Sequence, residues 1–360
     1  METKDGIQEK ALASMKDIDR GTCVLSMGAG KSKLGLMWID QYYTDYLKVL
    51  IAVPNKSILK SWTDDIVKFG YEHLIDCIRF TTYLSLTKQD LDYDLFIGDE
   101  IHSAKNSHIP WIANYKGKIL GLTGTPPKLD HSERGILMNL YWPIRYTYET
   151  DDAVEDGILN DYRIIVHTLE LDKAKTLQKK TKDGRIWMTS EENEYDYWTK
   201  RLNESSSMKE TQIMRVMRMK ALMGFPSKER LAKRLMSEIQ GKTIVFANTI
   251  KQADDLCYYS YHTKNKLSEQ NLEDFNSGKI RKLSCVLMLS QGVNIKGLTH
   301  SIIMHSYSNN RKLSQRLGRN LRLAVDEVAY INVLCYKDSI DQVWVKESLS
   351  EFSQDKITWL

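Results

Sequence analysis

A short glycine-containing segment, with an apolar run before it and a helix-compatible run after it, carries the residue types that bind a triphosphate. Residues 26–32 read SMGAGKS. Gly28 and Gly30 allow the backbone to approach phosphate oxygens, and backbone amides at a helix N-terminus attract an anion. Lys31 is then placed to reach the β- and γ-phosphates, and the Ser32 hydroxyl to bind Mg²⁺. Because leucine replaces the first glycine of the full phosphate-loop pattern, an ordinary glycine-rich turn stays the alternative, and a second ATPase element is needed.

Two adjacent carboxylates at the end of an apolar strand supply that second element. Residues 95–98 are apolar and lead directly into Asp99 and Glu100. The carboxyl ends of parallel strands are where α/β sheets bind their ligands. There, Asp99 could hold Mg²⁺ while Glu100 orients or deprotonates the attacking water. Paired acids at a strand end are often a solvated turn or a helix cap, but the phosphate-loop pattern upstream favours the ATPase interpretation.

The composition indicates an ordinary globular protein of two domains or one large one. The chain has 360 residues, of which 42% are hydrophobic, and a formal net charge of +4. This mild charge permits a nucleic-acid partner without arguing for one. Five scattered cysteines with no C-x-x-C pair are typical of a reduced, cytoplasmic chain. The N-terminal residues lack a signal-peptide pattern and no apolar run approaches about 18 residues, so no membrane association is expected.

Strand-like runs alternate with helix-compatible runs through the first half of the chain, which predicts a parallel sheet with right-handed crossovers. The apolar run 48–53 stops at Pro54, and the segment after it could present backbone amides and Lys56 to a phosphate. Nearer the N-terminus, the Gln8 amide could both donate to and accept from an adenine edge, with a plain surface glutamine as the alternative. The first half is therefore predicted to bind nucleotide at one edge of a sheet.

Seven segments, taken in chain order, resemble the sequence motifs of superfamily-two helicases and translocases. The resemblance extends from Gln8 to Arg322, and the joint order of the segments makes it specific. The segments are Gln8, Met27–Ser32, Asp99–His102, Leu122–Pro126, Lys242–Asn248, Ser290–Ile295 and Gln315–Arg322.

This resemblance implies an α/β fold with two RecA-like domains. Each domain would be a mostly parallel sheet flanked by helices, with the ATP site in the cleft between them. The expected division is an ATP-binding domain at 1–150 and a C-terminal helicase domain at 151–360. We expect a helical and hairpin insertion at about 172–225, whose basic residues are a weaker candidate for a DNA contact.

The resemblance also implies roles for particular residues. Arg319 and Arg322 would act as arginine fingers toward the γ-phosphate of ATP, beside Lys31 and Glu100. Further nucleotide contacts are implied for Met27, Ala29, Gly292 and Asn294. Coupling of hydrolysis to nucleic acid is implied for His102, Thr123, Thr125 and Gln315, and ordinary hydrogen-bonded interface residues would look the same. Nucleic-acid contacts are implied for Pro54, Lys56, Thr82, His262 and Lys264.

Finer features of these motifs are similar to double-strand DNA motors of the Snf and UvsW types. Trp62 and the pair Thr82 and Tyr83 belong to this similarity, and the form of residues 315–322 is closer to phage and restriction-type enzymes. The implied function is an ATP- and Mg²⁺-dependent motor that translocates on, remodels or unwinds duplex, forked or branched DNA. It would act in replication, recombination or repair, in the host cytoplasm if phage-encoded. The alternatives are an ATP-gated binding module, the motor subunit of a restriction or remodelling complex, and an RNA helicase; the sequence names no partner protein.

Overall fold

The fold was determined from a computed structural model, which describes residues 2–26, 28–127, 131–180, 183–286, 295–306, 323–350 and 352–360. The described residues form two compact units. The first unit comprises those within 2–161 together with 324–327, and the second comprises those that remain.

The first unit is a six-stranded sheet in which every neighbouring pair of strands is parallel, in the order β3-β2-β4-β5-β1-β6. The strands are β1 (Arg20–Leu25), β2 (Val49–Val53), β3 (Ile78–Thr82), β4 (Leu95–Asp99), β5 (Lys118–Thr123) and β6 (Ile144–Tyr148). The helices are α1 (Lys4–Ser14), α2 (Lys31–Asp40), α3 (Lys56–Phe69), α4 (Ile109–Asn114), α5 (Glu133–Tyr141) and α6 (Thr150–Glu155). Short 3₁₀ helices span Glu72–Cys77, Tyr83–Lys88, Ile101–Ser103 and Asn106–His108.

Apolar strand sequences explain why this sheet is covered on both faces. All five residues of β2 and all five of β4 are buried, as expected for central strands of a parallel sheet. Aromatic rings fill one side of the core: Trp111 stacks on Tyr115 at a centroid distance of 5.1 Å and packs against Phe96 at 5.1 Å. Because all strands run the same way, the carboxyl ends of β1, β4 and β5 lie along one edge, with β5 in the middle.

The second unit is built on a seven-stranded sheet in the order β11-β12-β10-β13-β14-β7-β15. The pairs from β11 through β14 are parallel, as is the pair of β7 with β15. The strands, with the hairpin strands β8 and β9, are β7 (Asp161–Leu169), β8 (Leu177–Lys180), β9 (Ile186–Thr189), β10 (Thr243–Ala247), β11 (Ser260–Tyr261), β12 (Lys282–Val286), β13 (His300–Ile303), β14 (Val328–Tyr336) and β15 (Ile357–Trp359). The helices are α7 (Glu191–Asn203), α8 (Met208–Gly224), α9 (Pro226–Glu238), α10 (Ile250–Leu256), α11 (Ser268–Asn276) and α12 (Ile340–Leu349), followed by a 3₁₀ turn at Gln354–Lys356.

The segment between β7 and α9 contains an antiparallel hairpin, β8 with β9, and the helix pair α7 and α8. The Glu191 side chain links the start of α7 to the start of α9 by hydrogen bonds. Its carboxylate accepts hydrogen bonds from the Ser227 backbone N–H at 2.9 Å and from the Ser227 hydroxyl at 2.7 Å. The Tyr195 hydroxyl, one turn further along α7, accepts the Ile340 N–H at 3.0 Å.

A buried charge cluster lies where α9, α12 and the strand ends of β13 and β14 meet. Lys228 pairs with Asp341, and the two side chains are 2% and 0% exposed. Asp341 also accepts the Tyr336 backbone N–H at 3.0 Å and lies 3.2 Å from Nδ1 of His305, which is fully buried. Buried charges need this kind of pairing because isolated ones lose their hydration without compensation.

The prediction of two α/β units with mostly parallel sheets is confirmed. The edge strand β6, which pairs with β1, was not predicted from the sequence. Three of the five β6 residues are exposed, so the run lacks the apolar pattern of an interior strand. In the parts of the chain that the structure describes, no helix has the length and apolarity to cross a membrane.

Candidate ATP-hydrolysis site

The phosphate-loop segment joins β1 to α2 in a conformation that glycine makes accessible. Gly28 and Gly30 have φ angles of +92° and +89°, in the left-handed region that other residues rarely adopt. Gly30 is the N-cap of α2, and Lys31 is its first residue. The loop therefore sits at a helix N-terminus, where unpaired amides and the helix dipole favour an anion.

Gln8 on α1 contacts the backbone of this loop. Its Nε2 donates to the Ala29 carbonyl at 3.1 Å, and its side chain lies where a Cβ on residue 30 would be. The residue is 2% exposed, and among the described residues its Oε1 has no hydrogen-bond partner. An unpaired buried acceptor beside the loop is suited to an N–H donor such as an adenine amine.

The acidic turn after β4 places Glu100 close to the loop lysine. Glu100 Oε1 lies 3.6 Å from Lys31 Nζ, and its Oε2 accepts from the Thr123 hydroxyl at 3.3 Å. His102 Nδ1 is 2.7 Å from Thr123 Oγ1 and 3.3 Å from Glu100 Oε2. The Thr125 N–H donates to Thr123 Oγ1 at 3.1 Å. Three strand ends thus bring together a lysine, a carboxylate and three residues predicted to couple hydrolysis to nucleic acid.

The pKa values of the two adjacent carboxylates are shifted in opposite directions. Burial raises the pKa of Asp99 to about 6, and the neighbouring Glu100 charge adds to the shift. Burial also disfavours ionisation of Glu100, but Lys31 and His102, together with hydrogen bonds from Thr123 and the Gly124 backbone, outweigh it, so the pKa of Glu100 lies below its ordinary value. At neutral pH Glu100 is therefore an ionised acceptor, as a base that orients water must be.

Asp99 and Ser32 are the two residues predicted to bind Mg²⁺. Both provide oxygen atoms, which Mg²⁺ prefers, and the raised pKa of Asp99 reflects a buried carboxylate that a cation would stabilise. The described residues contain no cluster of three or more His, Cys, Asp or Glu side chains placed to hold a metal ion.

Two aromatic side chains that donate to Asp99 had no role in the site predicted from sequence. Trp62 Nε1–H donates to Asp99 Oδ2 at 2.9 Å, and the Tyr83 hydroxyl donates to the Asp99 carbonyl at 3.0 Å. The only sequence signal was that Trp62 and Tyr83 belong to the segments similar to double-strand DNA motors. Nothing in those segments indicated that their partner is Asp99.

The residues predicted to contact nucleic acid in the first unit follow neighbouring strands. Pro54 and Lys56 follow β2, and Thr82 ends β3, so all three lie at the same carboxyl edge as Asp99. Lys56 is exposed, and Pro54 and Thr82 are partly buried.

In the second unit, Lys264 and His262 follow β11 but differ in exposure. Lys264 is exposed, whereas His262 is only 4% exposed and bonds through Nε2 to Asp254 Oδ1 at 2.8 Å. The imidazole therefore makes an internal hydrogen bond and does not point to solvent. Its Nδ1 accepts the Lys264 N–H at 3.3 Å, which shapes the turn that carries Lys264.

Several predicted site residues lie outside the described residues. They are Met27, Gly292, Asn294, Gln315, Arg319 and Arg322. Their roles stay predictions.

The fold and this cluster define a phosphate-loop ATPase built on RecA-like sheets, and comparisons with known proteins agree. Residues 5–128 match the family model described as "Type III restriction enzyme, res subunit". Residues 227–324 match the "Helicase conserved C-terminal domain". The DNA 3′-5′ translocase XPB2 of Sulfurisphaera tokodaii is 24% identical over 365 residues, covering 93% of this chain and 82% of that relative.

Two solved structures share the fold at low sequence identity. The ATP-dependent Type ISP restriction-modification enzyme LlaBIII bound to DNA matches 99% of the chain with a TM-score of 0.64 and 14% identity. The chain spans only 30% of that enzyme. A putative HsdR subunit of a type I restriction enzyme from Vibrio vulnificus YJ016 matches 99% of the chain with a TM-score of 0.63 and 17% identity, and 67% of that subunit is covered.

In two separate regions the chain is thus similar to superfamily-two helicases and translocases, and it is an ATP-dependent nucleic-acid motor of this kind.

Proposed function

We propose that this motor moves along duplex or forked DNA by holding backbone phosphates, with ATP hydrolysed at the Lys31 and Glu100 cluster. The main support is the convergence of Lys31, Glu100 and Thr123 at the ends of β1, β4 and β5, with Lys31 Nζ 3.6 Å from Glu100 Oε1. In this arrangement the lysine that would bind the phosphates lies next to the ionised carboxylate that would act as the base.

Each residue of the cluster has a distinct task in this proposal. Lys31 and the amides at the start of α2 bind the phosphates, and Gln8 reads the adenine. Mg²⁺, held by Ser32 and Asp99, would supply positive charge to the phosphates. Glu100 orients the attacking water and accepts its proton. Arg319 and Arg322 are assigned to the developing charge on the γ-phosphate, as in related motors.

DNA is favoured over RNA by the relative XPB2, which is a DNA translocase. Lys56, Thr82 and Lys264, together with strand-end amides, are suited to phosphates rather than base edges, so recognition should be blind to sequence. In its finer form, the proposal is that the motor is of the UvsW or Snf type and is encoded by a phage.

The test compares ATPase rates on duplex DNA, single-stranded DNA, forked DNA and RNA, with Lys31→Ala as the inactive control. We expect the greatest stimulation by duplex or forked DNA. Displacement of a triplex-forming strand from the duplex then separates movement from ATP-gated binding alone. Stimulation by RNA only would make the chain an RNA helicase, and stimulated hydrolysis without displacement would make it a switching module.

A second candidate is the motor subunit of a restriction or remodelling complex. It is favoured by the restriction-enzyme description of the matched family and by the two restriction-enzyme structures that share the fold. Purification of the tagged chain from its native host distinguishes the two. Stoichiometric recovery of a nuclease or a specificity chain would support the subunit role.

A further inference from the structure

Asp99 is held through two different atoms by two buried aromatic donors. Trp62 Nε1–H bonds to the side-chain oxygen Oδ2, and the Tyr83 hydroxyl bonds to the main-chain carbonyl. Trp62 is 1% exposed and Tyr83 is 5% exposed, so water does not compete for either bond. Each donor lies in a segment that also carries a candidate phosphate contact.

Trp62 is connected to the nucleic-acid edge through α3. This helix begins at Lys56 and carries Trp62 roughly 9 Å further along its axis. The indole also packs tightly against α2, because a Cβ added at Gly35 would lie 2.7 Å from Trp62 Cη2. Any displacement of α3 therefore moves the indole against the phosphate-loop helix and against the Asp99 carboxylate together.

Tyr83 is connected to the same edge more directly, because it immediately follows Thr82 at the end of β3. The carbonyl that it binds belongs to the peptide group joining Asp99 to Glu100. Glu100 has a φ angle of +50°, a conformation that only the surrounding contacts can maintain in a non-glycine residue. The Tyr83 bond thus acts on the orientation of the Glu100 side chain.

We propose that Trp62 and Tyr83 are positioning residues that transmit phosphate contacts at Lys56 and Thr82 to Asp99 and Glu100. This inference rests on the proposed function, since it requires nucleic acid to bind at the ends of β2 and β3. It predicts that the two hydrogen bonds carry much of the coupling between DNA binding and nucleotide binding.

The experiment measures that coupling at equilibrium, without hydrolysis. The dissociation constant of a fluorescein-labelled duplex is measured with and without saturating Mg²⁺ and AMP-PNP, and the ratio is the coupling factor. By linkage, DNA must change the AMP-PNP affinity by the same factor, which gives an internal check. The variants Trp62→Phe and Tyr83→Phe each remove one hydrogen-bonding group and keep an aromatic ring.

The first unit also provides matched controls. Trp38 Nε1 and the Tyr115 hydroxyl are buried, yet neither has a hydrogen-bond partner among the described residues. Trp38→Phe and Tyr115→Phe therefore make the same chemical changes without removing a contact to Asp99.

We expect the coupling factor of Trp62→Phe and Tyr83→Phe to fall toward one, by about fivefold to tenfold, the size expected for losing one hydrogen bond in a charged site. Trp38→Phe and Tyr115→Phe should retain the wild-type factor. Wild-type coupling in both Asp99-linked variants, or an equal loss in the controls, would overturn the inference. A wild-type protein with neither coupling nor DNA-stimulated ATPase would instead overturn the proposed function itself.

Discussion

Replacing Lys228 with methionine should destabilise the second unit far more than the same replacement at an exposed lysine. Lys228 pairs with Asp341, and their side chains are 2% and 0% exposed. Methionine keeps a long unbranched side chain but removes the charge. Among the described residues of this cluster, Asp341 would then keep the Tyr336 N–H at 3.0 Å and the His305 ring at 3.2 Å as nearby partners.

The magnitude follows from this burial. Removing one partner of a buried ion pair costs about 3–5 kcal/mol, because the other charge is left without compensation. For a domain of roughly 150–250 residues, each kcal/mol lowers the unfolding midpoint by about 2–4 °C. We therefore expect Lys228→Met to lower the midpoint of the second unit by about 6–20 °C.

Lys233→Met, on the same helix α9, is the matched control. Lys233 is 48% exposed and pairs with Glu229 at 2.9 Å, so its loss should cost no more than about 0.5 kcal/mol. Calorimetry of the full chain gives the midpoints, and hydrogen exchange of β13 and β14 amides assigns the transition to this unit. Midpoints of the two variants within about 2 °C of each other would refute the reasoning.

Four further predictions concern the site itself. Lys31→Ala should abolish ATP hydrolysis and leave DNA affinity nearly intact in an anisotropy titration; parallel loss of both would contradict the phosphate-binding role. Glu100→Gln should still bind ATP but turn over at least ~100-fold more slowly, since a carboxamide cannot accept the water proton; wild-type turnover would place the base elsewhere. Lys264→Ala should lower the log–log salt slope of DNA binding by about one unit and weaken stimulated ATPase more than basal ATPase. An unchanged slope on two unrelated duplexes of equal length would exclude that phosphate contact. Finally, kcat/KM should fall as the pH drops below about 6, because burial raises the pKa of Asp99 to about 6 and its protonated form cannot bind Mg²⁺. The acidic side of the pH profile should move to lower pH as the Mg²⁺ concentration is increased. A pH profile that does not move with Mg²⁺ would show that another group is responsible for the fall.

The sequence by itself was sufficient for the fold class and for the class of motor, and both are confirmed. A phosphate loop uses consecutive residues, so its pattern is visible in a sequence. Central strands such as β2 and β4 are buried throughout and are therefore recognisable as apolar runs. Edge strands are not recognisable in this way. Because β6 and β15 are short and largely exposed, neither was predicted from the sequence.

Only the tertiary structure revealed which side chains surround the Asp99 and Glu100 carboxylates. Trp62 donates to Asp99 across 37 residues of sequence, and Tyr83 donates across 16. Lys228 and Asp341 are separated by 113 residues. Residue types and local spacing indicate which groups could react, but a contact between distant segments depends on how α2, α3 and α9 pack against their sheets. That packing is fixed by the combined volume of many core side chains, which no single segment encodes.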